Sequence, residues 1–234
     1  MTHAPVITID GTSGTGKGTL SYALAIRLGW GWLDSGAIYR CIAWAALEHQ
    51  IPLDDPEALV AMIKRCCLMV GSRLEAGQLK SYAMCDGLEL GDLIRTESCA
   101  KAASTFSAFP EVRAAVLGMQ RDARREPGLV TDGRDMGTVV FPDAELKFFM
   151  TASVEERAER RYKQLQEQGE RVSLRAVLDD IEARDSRDEQ RDVSPLVAAS
   201  DAIFLDTAGK SIPEVFAEAW RHVQQAFPNA LGSE

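Results

Sequence analysis

Val6-Ile7-Thr8-Ile9-Asp10-Gly11-Thr12-Ser13-Gly14-Thr15-Gly16-Lys17-Gly18-Thr19 decides the fold. An apolar run short enough for a buried strand ends in a glycine-rich turn. The chain then enters a stretch with Leu20, Leu24 and Leu28 at four-residue spacing, the period of a helix. Strand, glycine turn and helix in that order make a loop for phosphate. Glycines let the backbone curl until successive N–H groups point at one anion, the helix N-terminus adds partial positive charge, and Lys17 reaches the terminal phosphates. From Gly11 to Lys17 the spacing fits Gly-x-x-x-x-Gly-Lys, with Gly18 in the usual hydroxyl position and Thr19 after it. The competing reading is an ordinary glycine turn; a position between a buried strand and a helix favours the phosphate loop. The segment predicts binding of a nucleoside triphosphate by Gly11, Thr12, Ser13, Gly14, Thr15, Gly16, Lys17, Gly18 and Thr19.

Working outward, Gly31–Leu33, Leu129–Asp132, Leu146–Met150 and Ala202–Asp206 join Val6–Asp10 as apolar runs separated by helical patterns. That alternation predicts an α/β fold of the P-loop NTPase type, a five-stranded parallel sheet with helices on both faces. Helices are expected from about Lys17, from about Gly36 to His49, and from Pro110, a first-turn proline, through about Arg125. Ser153 with Glu156 and Ser211 with Glu214 form capping boxes at two later helix starts. Residues from about Arg65 to Arg95 break the alternation. Cys67–Val70 and Leu79–Met84 suit short strands with Gly71, Gly77 and Gly87 as turns, a small antiparallel insertion. Gly169 divides two arginine-bearing helices, an expected hairpin over the phosphate loop.

The chain has 234 residues, 46% of them apolar, enough for one large domain or a domain with inserted lobes. No apolar run approaches a membrane span, and Met1–Pro5 lacks the charged start and apolar centre of a secretion signal. Five cysteines, odd in number and without a Cys-x-x-Cys pair, suit a reducing cytosol. A cytoplasmic protein without membrane contact is expected, and nothing in the sequence demands more than a monomer. The net charge of −9 repels polyanions and argues against generic nucleic-acid binding. Yet eight arginines crowd residues 151–191: Arg157, Arg160, Arg161, Arg171, Arg175, Arg184, Arg187 and Arg191. Such a local cluster suits a small phosphorylated ligand.

Phosphoryl transfer needs positioned cations and aligned substrates more than covalent help. His3, His49 and His222 lie in no polar cluster and receive no catalytic role. Arg157, Arg160 and Arg161 share one helix face, and Arg184, Arg187, Asp188 and Arg191 share another. They read either as solvated faces paired to Glu155, Glu156 or Glu182, or as a lid that excludes water so that phosphate reaches an acceptor. Leu129–Asp135 sets polar residues at the carboxyl end of a central strand, where open α/β sheets bind ligands. There Asp132 is expected to steer Mg2+ through water, Arg134 to bind phosphate, and Asp135 to accept from a donor on the substrate; aspartates capping a turn are the plainer alternative. After the second strand, Ser35 is expected to cap a helix and touch a ligand, with Arg40 one turn further facing phosphate.

Together these pieces resemble the bacterial cytidylate kinases of the P-loop nucleoside monophosphate kinase group. The resemblance rests on the loop ending Gly16-Lys17-Gly18-Thr19, on Leu33–Arg40, on the distinctive string Asp132–Asp143 and on the series Arg184–Arg191. It implies transfer of the γ-phosphoryl of ATP to CMP or dCMP, with Mg2+ held near Thr19 and, through water, Asp132. It implies a core of residues 1–33, 128–150 and 192–234, a monophosphate-binding region of 34–127 and a lid of 151–191. It assigns Ser104, Arg113 and Asp135 to the cytosine ring, and Arg40, Arg134 and Arg191 to the acceptor phosphate. Arg184 and Asp188 fall near the ribose, with Arg157 and Arg161 as lid residues meeting the triphosphate. Lys17, Arg134, Arg184 and Arg191 are then the catalytic cations. Cytosine presents an amine donor and two acceptors, which a carboxylate and an arginine complement; uracil sets a carbonyl oxygen against Asp135. Thr12 stands where this group commonly has proline, leaving the loop freer. A kinase of another small phosphate acceptor and a nucleotide-dependent regulatory module stay open. A guanine-reading switch would carry an Asn-Lys-x-Asp loop, and the one asparagine is Asn229.

Overall fold

Val6–Gly11 (β1) is buried at every position, Thr8 and Asp10 included, as befits a strand covered on both faces. The computed structural model describes residues 3–75, 78–167 and 169–228. In it β1 is the middle of five parallel strands, ordered β2 (Gly31–Asp34), β6 (Leu129–Gly133), β1, β7 (Leu146–Thr151) and β8 (Ile203–Asp206). Alternation along β1 sorts the core. Ile7 and Ile9 pack with Leu20 and Leu24 of α1 (Lys17–Leu28) and with Val215 and Ala219 of α8 (Ile212–Ala226). Val6 turns to the other face, onto a cluster that includes Ile38 and Ile42 of α2 (Ser35–Glu48), Phe106 of α4 (Glu97–Phe106) and Val112 of α5 (Pro110–Arg121). Register sets Ile9 and Asp34 opposite Asp132, so the carboxyl ends of β1, β2 and β6 share one edge.

The remaining elements depart from expectation in instructive ways. α3 (Pro56–Arg65), capped by Asp55, precedes the insertion. The insertion's strands run longer than expected, as β3 (Leu68–Glu75), β4 (Gln78–Cys85) and β5 (Leu88–Glu89) in one antiparallel sheet. Gly71 is no turn: it lies inside β3 opposite Tyr82, where an added Cβ would stand 3.0 Å from the phenol oxygen. Gly87 is a turn, with φ +85°, and Gly77 lies outside the described residues. α5 stops at Arg121, short of Arg125, and Arg124 instead reaches Ala4 O and Asp143. α6 (Val154–Glu167) and α7 (Leu174–Glu189) form the expected hairpin around their own small core of Ala158, Leu165, Val177 and Ile181. Ser211 and Glu214 close their capping box. At Ser153 the hydroxyl accepts from Glu156 N, while Glu156 Oε1 is drawn to Gly209 N at 2.9 Å. No helix among the described residues is long and apolar enough to cross a membrane.

Candidate active site

Between β1 and α1 the backbone curls through Gly11, Gly14 and Gly16, whose φ angles are +145°, +82° and +89°. A side chain at Gly11 would also place its Cβ 2.2 Å from Met150 O, so the loop's root admits only glycine. Lys17 folds back over the loop it follows, its Nζ donating to Thr12 O at 2.5 Å. Burial, then the nearby Arg134 guanidinium, hold its ammonium well below the ordinary lysine pKa. Such a cation, poorly hydrated and lightly partnered, favours the arrival of an anion. Arg157 braces the loop from behind, donating to Ser13 O at 3.0 Å and pairing with Asp185 at 2.5 Å.

Three carboxylates sit under and beside the loop. Asp132 Oδ1 accepts from Ser21 Oγ at 2.6 Å and Trp32 Nε1 at 3.2 Å. Burial, with the Asp34 charge second, raises its pKa to about 6 in spite of those bonds. Asp10, the last residue before the glycine loop, accepts from Met136 N at 2.9 Å and Gly137 N at 2.8 Å. Burial raises it also to about 6. It ties the root of the phosphate loop to the segment following Asp135. Asp34, not Ser35, is the cap of α2, accepting from Ala37 N. This corrects the expectation for Ser35, whose hydroxyl donates to Asp132 O at 2.7 Å because β2 and β6 are neighbours. Asp10, Ser21, Trp32 and Asp34 are the site residues that sequence reasoning missed. The one local signal was a carboxylate at the end of each of two buried strands.

A cleft of about 870 Å³ opens beside the loop, lined by Lys17, Ser35, Arg40, Ser104, Arg113, Asp132, Arg134, Asp135, Arg184, Asp188 and Arg191 among others. Residues from five separate stretches of sequence therefore meet. Arg113 pairs with Asp135, both nearly sealed from solvent. Arg134 Nε bonds Asp188 Oδ2 at 2.7 Å, and Arg40 bonds Asp34 at 2.6 Å. Burial, then the Arg134 charge, bring Arg184 down to about 10. Among the described residues, buried side-chain atoms without a hydrogen-bond partner concentrate here. Tyr39 Oη, Arg40 Nε, Ser104 Oγ, Arg113 Nε, Arg184 Nε and Arg191 Nη2 all belong to residues of this cleft's wall. These atoms are sealed even from the cleft, so a ligand reaches them only if the side chains shift, and each left unpaired costs about 1–3 kcal/mol.

A second cleft of about 970 Å³ shares Ser13, Gly14, Gly16 and Thr19 with the first and runs on to Arg160, Arg161, Lys210, Ile212 and Phe216. Its arginines are not paired to Glu155, Glu156 or Glu182. Arg160 donates to Thr207 O at 2.8 Å, and Arg161 reaches Glu97 on α4 at 3.0 Å. Arg157 lines neither cleft. The two clefts also share Arg40, Ser104 and Arg184, so they adjoin both along the phosphate loop and across those side chains.

A five-stranded parallel sheet with a glycine loop and helix N-terminus at the end of its middle strand, and two adjoining clefts beside that loop, defines a P-loop protein. Residues 7–225 match the family described as Cytidylate kinase. The chain is 50% identical over 222 residues to a cytidylate kinase of Coxiella burnetii, covering 95% of this chain and 93% of that one. It is 50% identical over 230 residues to one of Aeromonas salmonicida, covering 98% of each, and 50% identical over 222 residues to one of Sodalis glossinidius, covering 95% and 96%. The chain belongs to the cytidylate kinase family.

Proposed function

We infer that this chain transfers the γ-phosphoryl group of ATP to CMP, and to dCMP, giving the diphosphate and ADP. The observation that carries the reading is the convergence of Arg40, Ser104, Arg113, Arg134, Asp135, Arg184 and Arg191 on the first cleft, at the carboxyl edge of the sheet. A ligand with an anionic end and a hydrogen-bonding ring complements them. Arg40, Arg134 and Arg191 take the acceptor phosphate, while Arg184 and Asp188 take the ribose. Ser104, Arg113 and Asp135 take the base: Arg113 occupies one carboxylate oxygen of Asp135, and the other meets the cytosine amine.

On the donor side the amides from Gly11 to Thr19 and Lys17 hold the triphosphate, with Arg161 acting from the lid; Arg157, expected there too, instead supports the loop from behind. Lys17 leaves Thr12 O for the transferring group, where a preorganised cation is worth more than in water. Arg161 leaves Glu97 as the lid closes, and closure excludes water so that CMP, not solvent, receives the phosphoryl group. The Thr19 hydroxyl and the carboxylates of Asp132 and Asp34 offer only hard oxygens on this wall, a donor set that suits Mg2+ bound chiefly by phosphate and water. When bound, the ion would supply neutralisation of the charge on the donor phosphates. No general base is required, because the attacking monophosphate oxygen is ionised at neutral pH. The test is ADP release with ATP and Mg2+, measured with CMP, dCMP, UMP, AMP, GMP or no acceptor. CMP and dCMP are expected to drive release; release that ignores CMP, or UMP used as efficiently as CMP, overturns the reading.

A further inference from the structure

His49, Cys66 and Asp86 lie far apart in sequence, yet each offers one ligand atom within 4.8 Å of the other two. None of them lines either cleft. His49 caps the C-terminus of α2, Cys66 caps that of α3, and Asp86 stands in the turn joining β4 to β5. Three elements with no local reason to present these groups together converge on one point. We propose that His49, Cys66 and Asp86 bind a divalent cation of zinc type, at a site separate from the substrate clefts.

The donor set chooses the ion. Imidazole nitrogen, thiolate sulfur and carboxylate oxygen are all zinc ligands, whereas magnesium and calcium take oxygen and have no use for a thiolate. Tetrahedral bonds of about 2.0–2.3 Å to zinc need ligand atoms roughly 3.3–3.8 Å apart. The three atoms need draw together by no more than about 1 Å, which rotation of the exposed His49 side chain supplies. Asp86 is already oriented from behind, its Oδ1 accepting from Cys67 N at 2.7 Å, as outer bonds orient ligating carboxylates. Cys85 Sγ lies 3.8 Å from Asp86 Oδ2 and stays outside the ligand set, so water fills the fourth position. Because α2 also carries Tyr39 and Arg40, and β4 carries Leu79, Lys80 and Ser81 of the first cleft's wall, the cation fastens the insertion to the helix that faces the acceptor. Its role is to hold these elements together.

The experiment uses the full chain, purified reduced and stripped with a chelator, then titrated with Zn2+ and with Co2+ as a spectroscopic stand-in while Mg2+ is in excess. One equivalent of zinc is expected to bind. At 100 times its Kd it should raise Tm by about 5–11 °C. Cobalt should show the visible bands of a tetrahedral centre and a thiolate charge-transfer band. Cys66→Ser should lose the charge-transfer band and His49→Ala the Tm rise, while Cys99→Ser keeps both. Absence of a bound equivalent overturns the proposal, as does a charge-transfer band that survives Cys66→Ser. So does a Tm response that survives His49→Ala. A mild oxidant forming a Cys66–Cys85 disulfide in protein that binds no zinc would overturn it in favour of thiol chemistry.

Discussion

Replacing Asp135 by asparagine separates recognition of the base from maintenance of the fold. The Arg113 and Asp135 side chains are 7% and 4% exposed, so their pair is desolvated. In Asp135→Asn the guanidinium keeps Ser107 O at 3.1 Å and the Tyr39 ring at 5.7 Å but loses its counter-charge. Breaking a buried pair from one side costs about 3–5 kcal/mol. The amide oxygen still accepts from Arg113, so the low end applies, about 3 kcal/mol, or roughly 6–12 °C of Tm for a chain of this size. Asp135→Asn with Arg113→Met removes both charges and should recover much of that loss. Recognition changes separately. A hydrogen bond to a charged acceptor is worth about 1.5–3 kcal/mol, so kcat/KM for CMP should fall by about 10–150-fold. The asparagine amide can turn its NH2 toward the uracil carbonyl, so UMP should suffer far less and the CMP-to-UMP ratio should contract by about the same factor. Steady-state ADP release with both acceptors, beside thermal melts, reads the two effects. A CMP-to-UMP ratio left within twofold of the parent while Tm falls would refute the reasoning, leaving Asp135 as scaffolding for Arg113.

Lys17→Met should lower single-turnover transfer by about 10²–10³-fold, the size of effect seen when one preorganised charge-stabilising donor is removed. Its Tm should hold or rise, because burial of the ammonium opposes folding. Asp132→Asn keeps both hydrogen bonds accepted at Oδ1 and removes a carboxyl whose folded pKa, about 6, lies above the ordinary aspartate value of 3.8. For that group the folded state binds the extra proton, so its contribution to stability falls as pH rises from about 4 to 6 and is level above. The variant should therefore gain stability over the parent on the order of 3 kcal/mol at pH 7, with the gain vanishing near pH 4, while transfer is lost. Denaturant melts across pH check the sign. Gly133→Ala places a Cβ 2.6 Å from Ser35 Oγ and 2.9 Å from Met136 Cγ, so it should push Ser35 off Asp132 O. The KM for CMP should then rise with little change in that for ATP.

What was legible in the sequence was whatever its own neighbours determine. The strand, glycine loop and helix from Val6 to Leu28 each follow from a few consecutive residues, and the glycines are obligatory for backbone reasons alone. Asp132, Arg134 and Asp135 were found by a topological rule, the carboxyl end of a central strand, which also needs only local reading. Partnerships were not legible. Helical period correctly groups Arg157, Arg160 and Arg161 in sequence, yet they reach Asp185, Thr207 and Glu97 on three different elements. A guanidinium at the end of a long stem is placed by whatever acceptor the tertiary fold brings near. The Asp10 bond to Gly137, the Trp32 bond to Asp132 and the meeting of His49 with Cys66 and Asp86 share that character. Ser104 lies between the two cases. Serine is a middling helix former, and here it sits on the buried side of α4 with no partner for its hydroxyl. Packing alone would have chosen alanine, as it did at Ala102 and Ala103. Ser104 thus carries a polar group that neither propensity nor burial explains, on the cleft it lines with Arg113 and Asp135, and that is the ground for the base-binding role proposed for it.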